Sequence, residues 1–568
     1  MKATTRYISN SYFHFGIISI VCFFTFFVNN QLIPADLMES RNLTAAQEMV
    51  QYGNYLLPTR NGELSFEKPP LPTWIAAGME IVSPGNLGVQ RYASGLAATL
   101  LIVFLYLFVS HLTGNRYVGL LASLIAATTF NMIMGGRTAS WDIYTHSLML
   151  GAIYFLFIAL REKAQWRYFL FAGLFAGLSF LSKGPVSLNA VFLPFLISYL
   201  IVYRKGFEGK KWKIVGMTLV FVLVGCWWHG FINVSQHGDF ALKVMQKESA
   251  SWFIRNVRQW YYYWQFPVEA GIWTFFWIVA IGYFFVNKNT AYRKEYKFSL
   301  IWFLATLILL SIFPEKKTRW LMPLLIPCAM MIGFYLIQMI TDMKTKGERI
   351  VFRTCTMIIV VALTVVPFIL YVVFFIEKQV SLFFFLFASA CCWGICVYLT
   401  LALYGKKGIR PVNVVIGFVL TMMMTTGVYM KPVVSIFVNE DRHSIRLLRN
   451  NKEIEGLPFF YNESEELRLE LIFELNRRII KLDLSDDEAI AKAAPFVFIS
   501  GESIEKVMAD KNVSIDFIDT FDNNWRQKIN FDFINNKWTK KISFLEKKAN
   551  KHYNPNLVRE VAVIRAKE

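Results

Sequence analysis

Apolar segments long enough to cross a membrane follow one another from residue 11 to residue 430 of this chain. A helix needs roughly 17–25 mostly apolar residues to span the hydrocarbon core of a bilayer. Hydrophobic residues make up 55% of the sequence and charged residues only 17%, which excludes an ordinary soluble domain. We therefore predict an all-α polytopic membrane protein with about thirteen transmembrane helices. The predicted spans are residues 11–31, 92–111, 116–134, 143–160, 167–182, 185–203, 214–233, 269–286, 298–313, 320–341, 351–376, 381–403 and 412–430.

Basic residues in the short connections predict the orientation of these spans. From residue 161 onward, alternate connections carry clusters of Lys and Arg, such as Lys210, Lys211 and Lys213. Because positively charged loops stay in the cytoplasm, we expect a cytoplasmic N-terminus, an uncleaved first span and an external C-terminus. The same placement accounts for the net charge of +19, so no nucleic-acid partner is expected.

The external segments differ from the cytoplasmic ones in length and composition. Two external loops are long, at residues 32–91 and 234–268, within a transmembrane domain that we assign to residues 1–434. Over residues 435–568 charged and polar residues return, and strand and helix patterns alternate, which predicts a small α/β domain. We find no phosphate-binding glycine loop in it and expect a lid or docking module without chemistry. Its predicted strands are residues 458–462, 479–484, 495–500 and 513–521, and its predicted helices are residues 463–478 and 486–493.

The first external loop places charged residues against the membrane, where desolvation of a charge costs free energy. Apolar residues recur at helical spacing from Asp36 to about Gly53, which predicts an amphipathic helix on the membrane surface. Asp36, Glu39 and Arg41 lie at the start of this helix. Asp36 and Glu39 also have the spacing of a capping box, which would make them structural rather than catalytic.

Lys68 is the most constrained cation of this loop. It follows Glu67 and precedes two prolines, whose fixed backbone angles would set the direction of the lysine side chain. A fixed ammonium beside a bilayer suits the phosphate of a lipid. The alternative is a Glu67–Lys68 surface pair in front of a second interfacial helix.

Six further isolated external charges lie near the ends of spans, namely Arg137, Asp142, Lys183, Lys316, Lys317 and Arg319. Interfacial snorkelling would explain each of them alone, but all six share one predicted side of the membrane with both long loops. The second loop adds Arg255 and Arg258 within an aromatic run. Arginines bind phosphates and aromatic rings stack on sugars, although an interfacial aromatic belt is the alternative for this run.

These motifs resemble those of the lipid A aminoarabinose transferases and the related protein O-mannosyltransferase-like enzymes. That family consists of polytopic GT-C type glycosyltransferases that use polyprenyl-phosphate sugars. The resemblance covers the whole membrane region and is densest in the first loop. The matching residues are Glu39, Arg41, Glu48 and Met49, then Asn61-Gly62 and Phe66-Glu67-Lys68-Pro69-Pro70, then Arg137 to Asp142, Phe180-Leu181-Ser182-Lys183-Gly184-Pro185 and Lys316 to Pro323.

Two positions depart from the family pattern. The family has an aspartate directly before the glutamate that Glu39 matches, and this chain has Met38 there. The family also has a tyrosine after the arginine, where this chain has Asn42. Three carboxylates therefore stay open as the catalytic base, namely Asp36, Glu39 and Asp142.

The resemblance implies a donor sugar carried on a polyprenyl phosphate such as undecaprenyl phosphate. Transfer would take place at the periplasmic face of the bacterial inner membrane, to lipid A, another glycan or a protein. The leaving phosphate needs fixed cations, of which Lys68 is the first candidate, followed by Arg255 or Arg258. Trp320 occupies the family position of an aromatic hydroxyl near that phosphate. The remaining members of the predicted substrate-binding set are Arg41, Glu67, Arg137 and Lys316.

The implied reaction is a single displacement with inversion, which needs a carboxylate base and no covalent nucleophile. No cofactor or metal is expected to be required, and a divalent cation on the three candidate carboxylates is the alternative. The competing prediction is a flippase or transporter of lipid-linked sugars, which the many spans allow. The sequence shows no inverted repeat, and its charges gather on one side of the membrane, which favours an enzyme.

Overall fold

The computed structural model describes residues 11–161, 164–204, 206–371, 380–406, 408–439, 442–526 and 553–567. The chain forms two compact units. The first unit contains Met1–Asn30, Phe66–Ile75 and Gly88–Met430. The second unit contains Gln31–Ser65, Ala76–Leu87 and Lys431–Glu568.

Helices form almost all of the regular structure before residue 438. Most of them are α-helices, and short π-helical or 3-10 segments bend or end several of them. The α-helices are Ser11–Cys22, Leu37–Tyr52, Leu71–Val82, Leu87–Thr113, Arg116–Ala127, Phe130–Gly136, Trp141–Arg161, Trp166–Lys183, Leu193–Val202, Lys211–Gly225, Trp227–Ile232, Gly238–Ile254, Phe266–Ala270, Thr274–Val286, Arg293–Ile312, Met322–Thr341, Lys346–Leu370, Leu382–Tyr404, Pro411–Met424 and Met430–Phe437. The π-helical segments are Phe23–Phe27, Leu188–Phe192, Asn233–His237 and Thr425–Tyr429, and the 3-10 helices are Trp260–Gln265, Gly271–Trp273 and Thr318–Leu321.

Eight helical segments in the described part of the chain are long and apolar enough to cross a membrane, and two bent pairs raise this number to ten. The helices in predicted spans 11–31, 167–182 and 185–203 are shorter or less apolar than this criterion requires. The predicted count of about thirteen is therefore not confirmed, although every predicted span contains helix. The eight segments are Leu87–Thr113, Trp141–Arg161, Trp260–Val286, Arg293–Ile312, Thr318–Thr341, Lys346–Leu370, Leu382–Tyr404 and Pro411–Val434.

One of the two bends lies shortly before the candidate site in the chain. The helices Arg116–Ala127 and Phe130–Gly136 meet at an angle of 73°. At the break, the Thr128 hydroxyl donates to the Leu124 carbonyl at 2.6 Å and accepts from the Trp273 indole N–H at 2.9 Å. A hydroxyl that bonds back to the preceding turn is a common cause of helix bending.

Paired hydroxyls join the two helices that carry the candidate site, Trp141–Arg161 and Trp166–Lys183. The Thr145 hydroxyl donates to the Ser179 carbonyl at 2.9 Å, and the Ser179 hydroxyl donates to the Thr145 carbonyl at 2.7 Å. Both residues are buried, so these bonds replace water that the polar groups would otherwise need. They fix the register of the two helices within one turn of Asp142 and Lys183.

The second unit contains a short hairpin and a five-stranded mixed sheet. The hairpin pairs β1 (Thr59–Arg60) with β2 (Glu63–Leu64). The sheet has the order β4-β3-β5-β7-β6, in which β3, β4 and β5 are parallel and β7 is antiparallel to both of its neighbours. Its strands are β3 (Phe459–Asn462), β4 (Ile479–Leu482), β5 (Phe496–Ser500), β6 (Val513–Asp522) and β7 (Val558–Ala566).

Alternate residues of β5 enter two separate cores on the two faces of this sheet. Val497 and Ile499 pack on one face, and Phe496 and Phe498 on the other. This arrangement buries all of β5, which is why the strand reads as a continuous apolar run. The helices of this region are Ile445–Asn450, Lys452–Ile454, Leu469–Leu475, Asp487–Ala493, Ile504–Val507 and Pro555–Leu557.

The predicted elements of the C-terminal α/β domain are confirmed, with shorter helices than expected. Strands β3 to β6 and the helices Leu469–Leu475 and Asp487–Ala493 lie where the sequence predicted them. The sequence analysis missed β7. The predicted first-loop helix is also present, as Leu37–Tyr52, and it packs against the helix Leu469–Leu475 of the same unit.

Candidate active site

A buried carboxylate with two cationic partners lies in the first unit. Asp142 is in the first turn of one helix, Lys183 is the last residue of another, and Arg319 lies in a short 3-10 helix. The Lys183 ammonium donates a hydrogen bond to Asp142 Oδ1. The Arg319 Nε lies 4.0 Å from Asp142 Oδ2. One carboxylate is therefore shared by two cations.

The three side chains of this cluster are buried to different extents, so the cluster has a buried side and an accessible side. The side chains of Asp142 and Lys183 are 4% and 8% exposed, whereas that of Arg319 is 30% exposed. Taking a charge out of water costs several kcal/mol, so the two buried charges depend on each other. Arg319 adds one uncompensated positive charge on the accessible side of the pair.

His146 lies one helical turn after Asp142 and is also buried. No side chain or backbone group in the described residues makes a hydrogen bond to its Nδ1. Because the other residues of this turn are packed, the imidazole forms part of the wall behind Asp142 rather than an exposed group.

Lys68 is a third cation near this cluster. Its ammonium lies 3.3 Å from Glu248 Oε2, and both side chains are about one-quarter exposed. Lys68 is also close enough to Lys183 for the two charges to interact. The neighbouring Phe66 ring packs edge-on against Trp228 at 6.0 Å, which fixes the start of this segment. The sequence predicted a fixed Lys68 but not its partner Glu248, and Glu67 is half-buried beside it.

The predicted cations of the second loop are joined to Lys316 through the backbone. The Arg258 N–H donates to the Pro314 carbonyl at 3.0 Å, and the Lys316 N–H donates to the Asn256 carbonyl at 3.2 Å. The side chains of Arg255 and Arg258 are exposed. This pairing fixes the backbone of both segments and leaves the two guanidinium groups accessible.

Lys316 and Trp320 have local partners. The buried Lys316 ammonium donates to the Phe313 carbonyl at 2.5 Å, and burial lowers its pKa. The Lys317 ammonium lies 5.4 Å from the centre of the Trp320 ring and 2.5 Å from Glu315 Oε1. Trp320 thus lies between Lys317 and the start of a helix, directly after Arg319.

Arg137 makes structural hydrogen bonds. Its guanidinium donates to the carbonyls of Thr25 at 2.6 Å, Val28 at 2.7 Å and Phe24 at 3.2 Å. These carbonyls lie at the end of the N-terminal helix, where backbone acceptors lack helical partners. The geometry therefore supports a role in holding that helix end.

The first-loop carboxylates Asp36 and Glu39 belong to the second unit. Asp36 is the N-cap of the helix Leu37–Tyr52, and its Oδ1 accepts the N–H groups of Met38 and Glu39 at 2.8 Å each. Glu39 is 2% exposed and Arg41 is half-buried. The capping role that the sequence offered for Asp36 is thus present.

Sequence reasoning missed Lys183 and Arg319 as members of the site. Lys183 precedes Gly184, which takes φ +70° and ends the helix, so it looked like an isolated charge at a turn. The available signal was the presence of Asp142, Lys183 and Arg319 on one predicted side of the membrane. Among the residues that the structure describes, no three His, Cys, Asp or Glu side chains form a group that could hold a metal ion.

The cluster can hold an anion at the surface of the membrane region. Lys68 and Arg319 are partly exposed, and Lys183 lies behind them with Asp142 as its counter-ion. Cations fixed in this way stabilise a developing negative charge without reorganising. Phosphate is one of the two anions, with carboxylate, that Arg and Lys groups bind in proteins.

Comparisons with known proteins identify sequences and a fold that this chain resembles. A family model described as dolichyl-phosphate-mannose-protein mannosyltransferase matches residues 67–228. An uncharacterized protein of Aquifex aeolicus is 26% identical over 50% of this chain and 56% of its own length. An undecaprenyl phosphate-alpha-4-amino-4-deoxy-L-arabinose arabinosyl transferase of Pseudomonas fluorescens is 26% identical over 55% of this chain and 54% of its own length. The chain thus spans about half the length of these two relatives.

Among solved structures, ArnT from Cupriavidus metallidurans bound to undecaprenyl phosphate has the same fold. Its TM-score is 0.65 at 13% sequence identity, over 97% of both chains. The predicted resemblance and the predicted GT-C type fold are confirmed. The chain is a multi-pass membrane protein of this fold.

Proposed function

We propose that this chain is an integral membrane glycosyltransferase. It moves a sugar from undecaprenyl phosphate to lipid A, another glycan or a protein. The observation that carries the proposal is the buried Asp142–Lys183–Arg319 cluster, with Lys68 within interaction range. The names of the relatives support the class of donor, because they are called undecaprenyl phosphate arabinosyl transferases.

In the proposed reaction an acceptor hydroxyl or amine attacks the anomeric carbon of the donor sugar. The bond between that carbon and the phosphate oxygen breaks, and its electron pair stays on the phosphate. Negative charge therefore grows on the phosphate, and Lys68, Lys183 and Arg319 stabilise it. The attacking group enters opposite the leaving phosphate, so the sugar inverts and no covalent nucleophile is needed.

Asp142 orients cations in this proposal. Its two oxygens face Lys183 and Arg319, and a carboxylate shared by two cations is a weak proton acceptor. The pair keeps the Lys183 ammonium at a fixed place, which is what a preorganised phosphate site requires.

The acceptor loses one proton, and a carboxylate takes it. Asp36 and Glu39 are the other two candidates. Asp36 already accepts two backbone N–H groups as a helix cap. Glu39 matches the glutamate of the family motif and therefore stays a candidate for the base.

The proposed location is the bacterial inner membrane, with a cytoplasmic N-terminus, a periplasmic C-terminal domain and transfer at the periplasmic face. The distribution of basic connections supports this orientation. The flippase alternative receives no support from the names of the relatives, which are transferases. That no metal or cofactor is required stays a prediction.

Removal of the charge pair without loss of packing tests the proposal. We would compare the wild type with the double variant Asp142→Asn, Lys183→Met, in which both charges are absent but the volumes are similar. The readouts are the melting temperature with added undecaprenyl phosphate and mass spectrometry of envelope lipids from cells that make each form. Lys344→Gln, which breaks an exposed pair with Asp342, is the matched control.

We expect the double variant to fold, to lose stabilisation by undecaprenyl phosphate and to lose transfer by about 10²–10³-fold. A sugar-loaded polyprenyl phosphate should then accumulate, while the control behaves as the wild type. Wild-type transfer by the double variant would overturn the assigned phosphate site. The transferase activity itself would be overturned by a different result in cells without the gene. In that result the envelope keeps every sugar, and the lipid-linked sugar is trapped on the cytoplasmic side.

A further inference from the structure

A groove lies on the surface of two membrane-spanning helices, Lys346–Leu370 and Leu382–Tyr404. It has a volume of about 600 Å³, and its lining includes Arg353, Thr354, Met357, Ile358, Val361 and Tyr404. The lining is open to the surroundings, since Ile358, Val361 and Tyr404 are 40%, 58% and 56% exposed. Both helices are long and apolar enough to cross a membrane, so we expect the groove to face lipid.

Arg353 is the one charged side chain among the described residues that line the groove. Its guanidinium lies over the Tyr404 ring at 4.8 Å from the ring centre. Its Nε is buried and makes no hydrogen bond within the described part of the chain. The charge of this guanidinium, placed in an otherwise apolar groove, is complementary to an anion.

The groove lies at the opposite end of the membrane region from the Asp142 cluster. Arg319 precedes the helix Met322–Thr341, whose 20 residues rise about 30 Å. The chain then enters the helix Lys346–Leu370, and Arg353 follows its start by roughly two turns. Arg349 lies one turn before Arg353 on the same face and is exposed. The groove therefore opens near a helix end that we predict to be cytoplasmic.

We propose that this groove binds an anionic glycerophospholipid of the bilayer. The lipid phosphate pairs with Arg353, assisted by Arg349, and an acyl chain runs along Met357, Ile358 and Val361. Charge complementarity selects the headgroup, because anionic lipids carry the charge that a guanidinium binds in bidentate fashion. The apolar side chains of the groove do not distinguish one acyl chain from another. This lipid is distinct from the donor, because the groove shares no lining residue with the Asp142 cluster and opens near the predicted cytoplasmic end of its helices.

A second arginine of this chain provides a matched control. Arg167 also lies over a tyrosine at the start of a helix, at 4.9 Å from the Tyr168 ring centre, and it is exposed. It does not belong to this groove. Arg353 and Arg167 thus share the stacked geometry and differ in the apolar wall beside the cation.

Native mass spectrometry of the full-length protein in detergent micelles tests the proposal. The probes are phosphatidylglycerol and phosphatidylethanolamine with identical acyl chains, added to the wild type, Arg353→Gln and Arg167→Gln. One arginine near an anionic headgroup changes affinity by about fivefold. We expect the wild type and Arg167→Gln to prefer phosphatidylglycerol by about this factor, and Arg353→Gln to lose the preference.

Equal binding of both lipids by the wild type would overturn the proposal, as would a full preference in Arg353→Gln. Thr354→Trp keeps the cation but fills the groove from an exposed position, so it should also lose binding. That variant decides the matter if Arg353→Gln cannot be purified. Displacement of phosphatidylglycerol by an equal amount of undecaprenyl phosphate, dependent on Arg353, would overturn the choice of occupant.

Discussion

Glu48 and Arg478 form an ion pair across 430 positions of the sequence, with Arg478 Nη2 donating to Glu48 Oε2 at 2.9 Å. The Glu48 side chain is 4% exposed and also accepts the Thr59 hydroxyl at 2.6 Å and the Gly62 N–H at 3.2 Å. One buried carboxylate thus connects the first-loop helix, the β1–β2 hairpin and the residue before β4. The segment Gln31–Ser65 of the first loop is therefore held in the second unit by polar contacts as well as by packing.

The substitution Arg478→Gln should destabilise the second unit by about 2 kcal/mol, because a buried carboxylate loses its charged donor. Lys481→Gln is the control, since Lys481 pairs with Glu63 at 2.6 Å and both side chains are exposed. We expect that control to lose less than about 1 kcal/mol. The measurement is the rate of limited proteolysis across a urea series in detergent. Equal losses in the two variants would contradict the structural importance of the Glu48 contact.

Asp36→Asn separates the capping role of Asp36 from a catalytic one. Asparagine caps a helix about as well as aspartate but cannot act as a general base. Because the carboxylate accepts two backbone N–H groups, we expect Asp36→Asn to keep both stability and turnover. Asp36→Ala should lower stability by about 1 kcal/mol.

Glu39→Gln is the companion variant, and we expect it to reduce turnover by about 10²-fold or more with little change in melting temperature. Transfer assays with purified protein and a sugar-loaded undecaprenyl phosphate give the comparison. A large loss of turnover in Asp36→Asn, with Glu39→Gln active, would move the base to Asp36.

Arg137→Gln should act on stability. Three backbone carbonyls lose a charged donor, and each such bond contributes about 1.5–3 kcal/mol. We expect a lower melting temperature and less folded protein, with an unchanged KM for the donor in the protein that folds. The exposed Arg255 provides the contrast, because Arg255→Gln should leave the melting temperature unchanged and raise that KM. The opposite pattern would make Arg137 a substrate ligand.

Chelation tests the prediction that transfer requires no metal. The Asp142 carboxylate has Lys183 and Arg319 as partners, so cations of the chain already occupy the place that a metal would take there. We expect activity to be unchanged after treatment with EDTA followed by dialysis into metal-free buffer. Loss of activity that returns with one divalent cation would show that a metal is needed.

Composition and periodicity predicted the fold class, the helical segments and strands β3 to β6. These features depend on short-range patterns, which a sequence displays directly. The span count of about thirteen is not confirmed, because mean hydropathy alone does not show whether a helix is long enough to cross the membrane. Strand β7 was missed because Arg559, Glu560 and Arg565 interrupt its apolar pattern, and Arg559 is buried in an ion pair with Glu465.

The candidate site was predictable residue by residue but not as a set of partners. Asp142 and Lys68 were predicted from charge near the membrane, while the pairing of Asp142 with Lys183, 41 positions away, depends on how two helices pack. Arg137 was predicted to bind substrate because its carbonyl partners, on a distant helix end, leave no mark in the sequence. The long-range polar contacts of the site therefore could not be predicted from the sequence and are visible only in the folded structure.

The ion pair of Lys68 and Glu248 can be broken from either side, either by removing the ammonium or by removing only its partner. The two side chains lie 3.3 Å apart and are each about one-quarter exposed, so the pair adds little to stability. Lys68→Ala should reduce transfer by about 10²–10³-fold, since a cation facing the leaving phosphate is lost. Glu248→Gln leaves the ammonium in place and should change transfer by less than about tenfold. The measurements are kcat for transfer and the thermal shift on addition of undecaprenyl phosphate. If Lys68→Ala keeps the wild-type kcat and thermal shift, the phosphate is held by Lys183 and Arg319 alone. If Glu248→Gln loses both kcat and thermal shift, the donor requires the ion pair and not only the Lys68 ammonium.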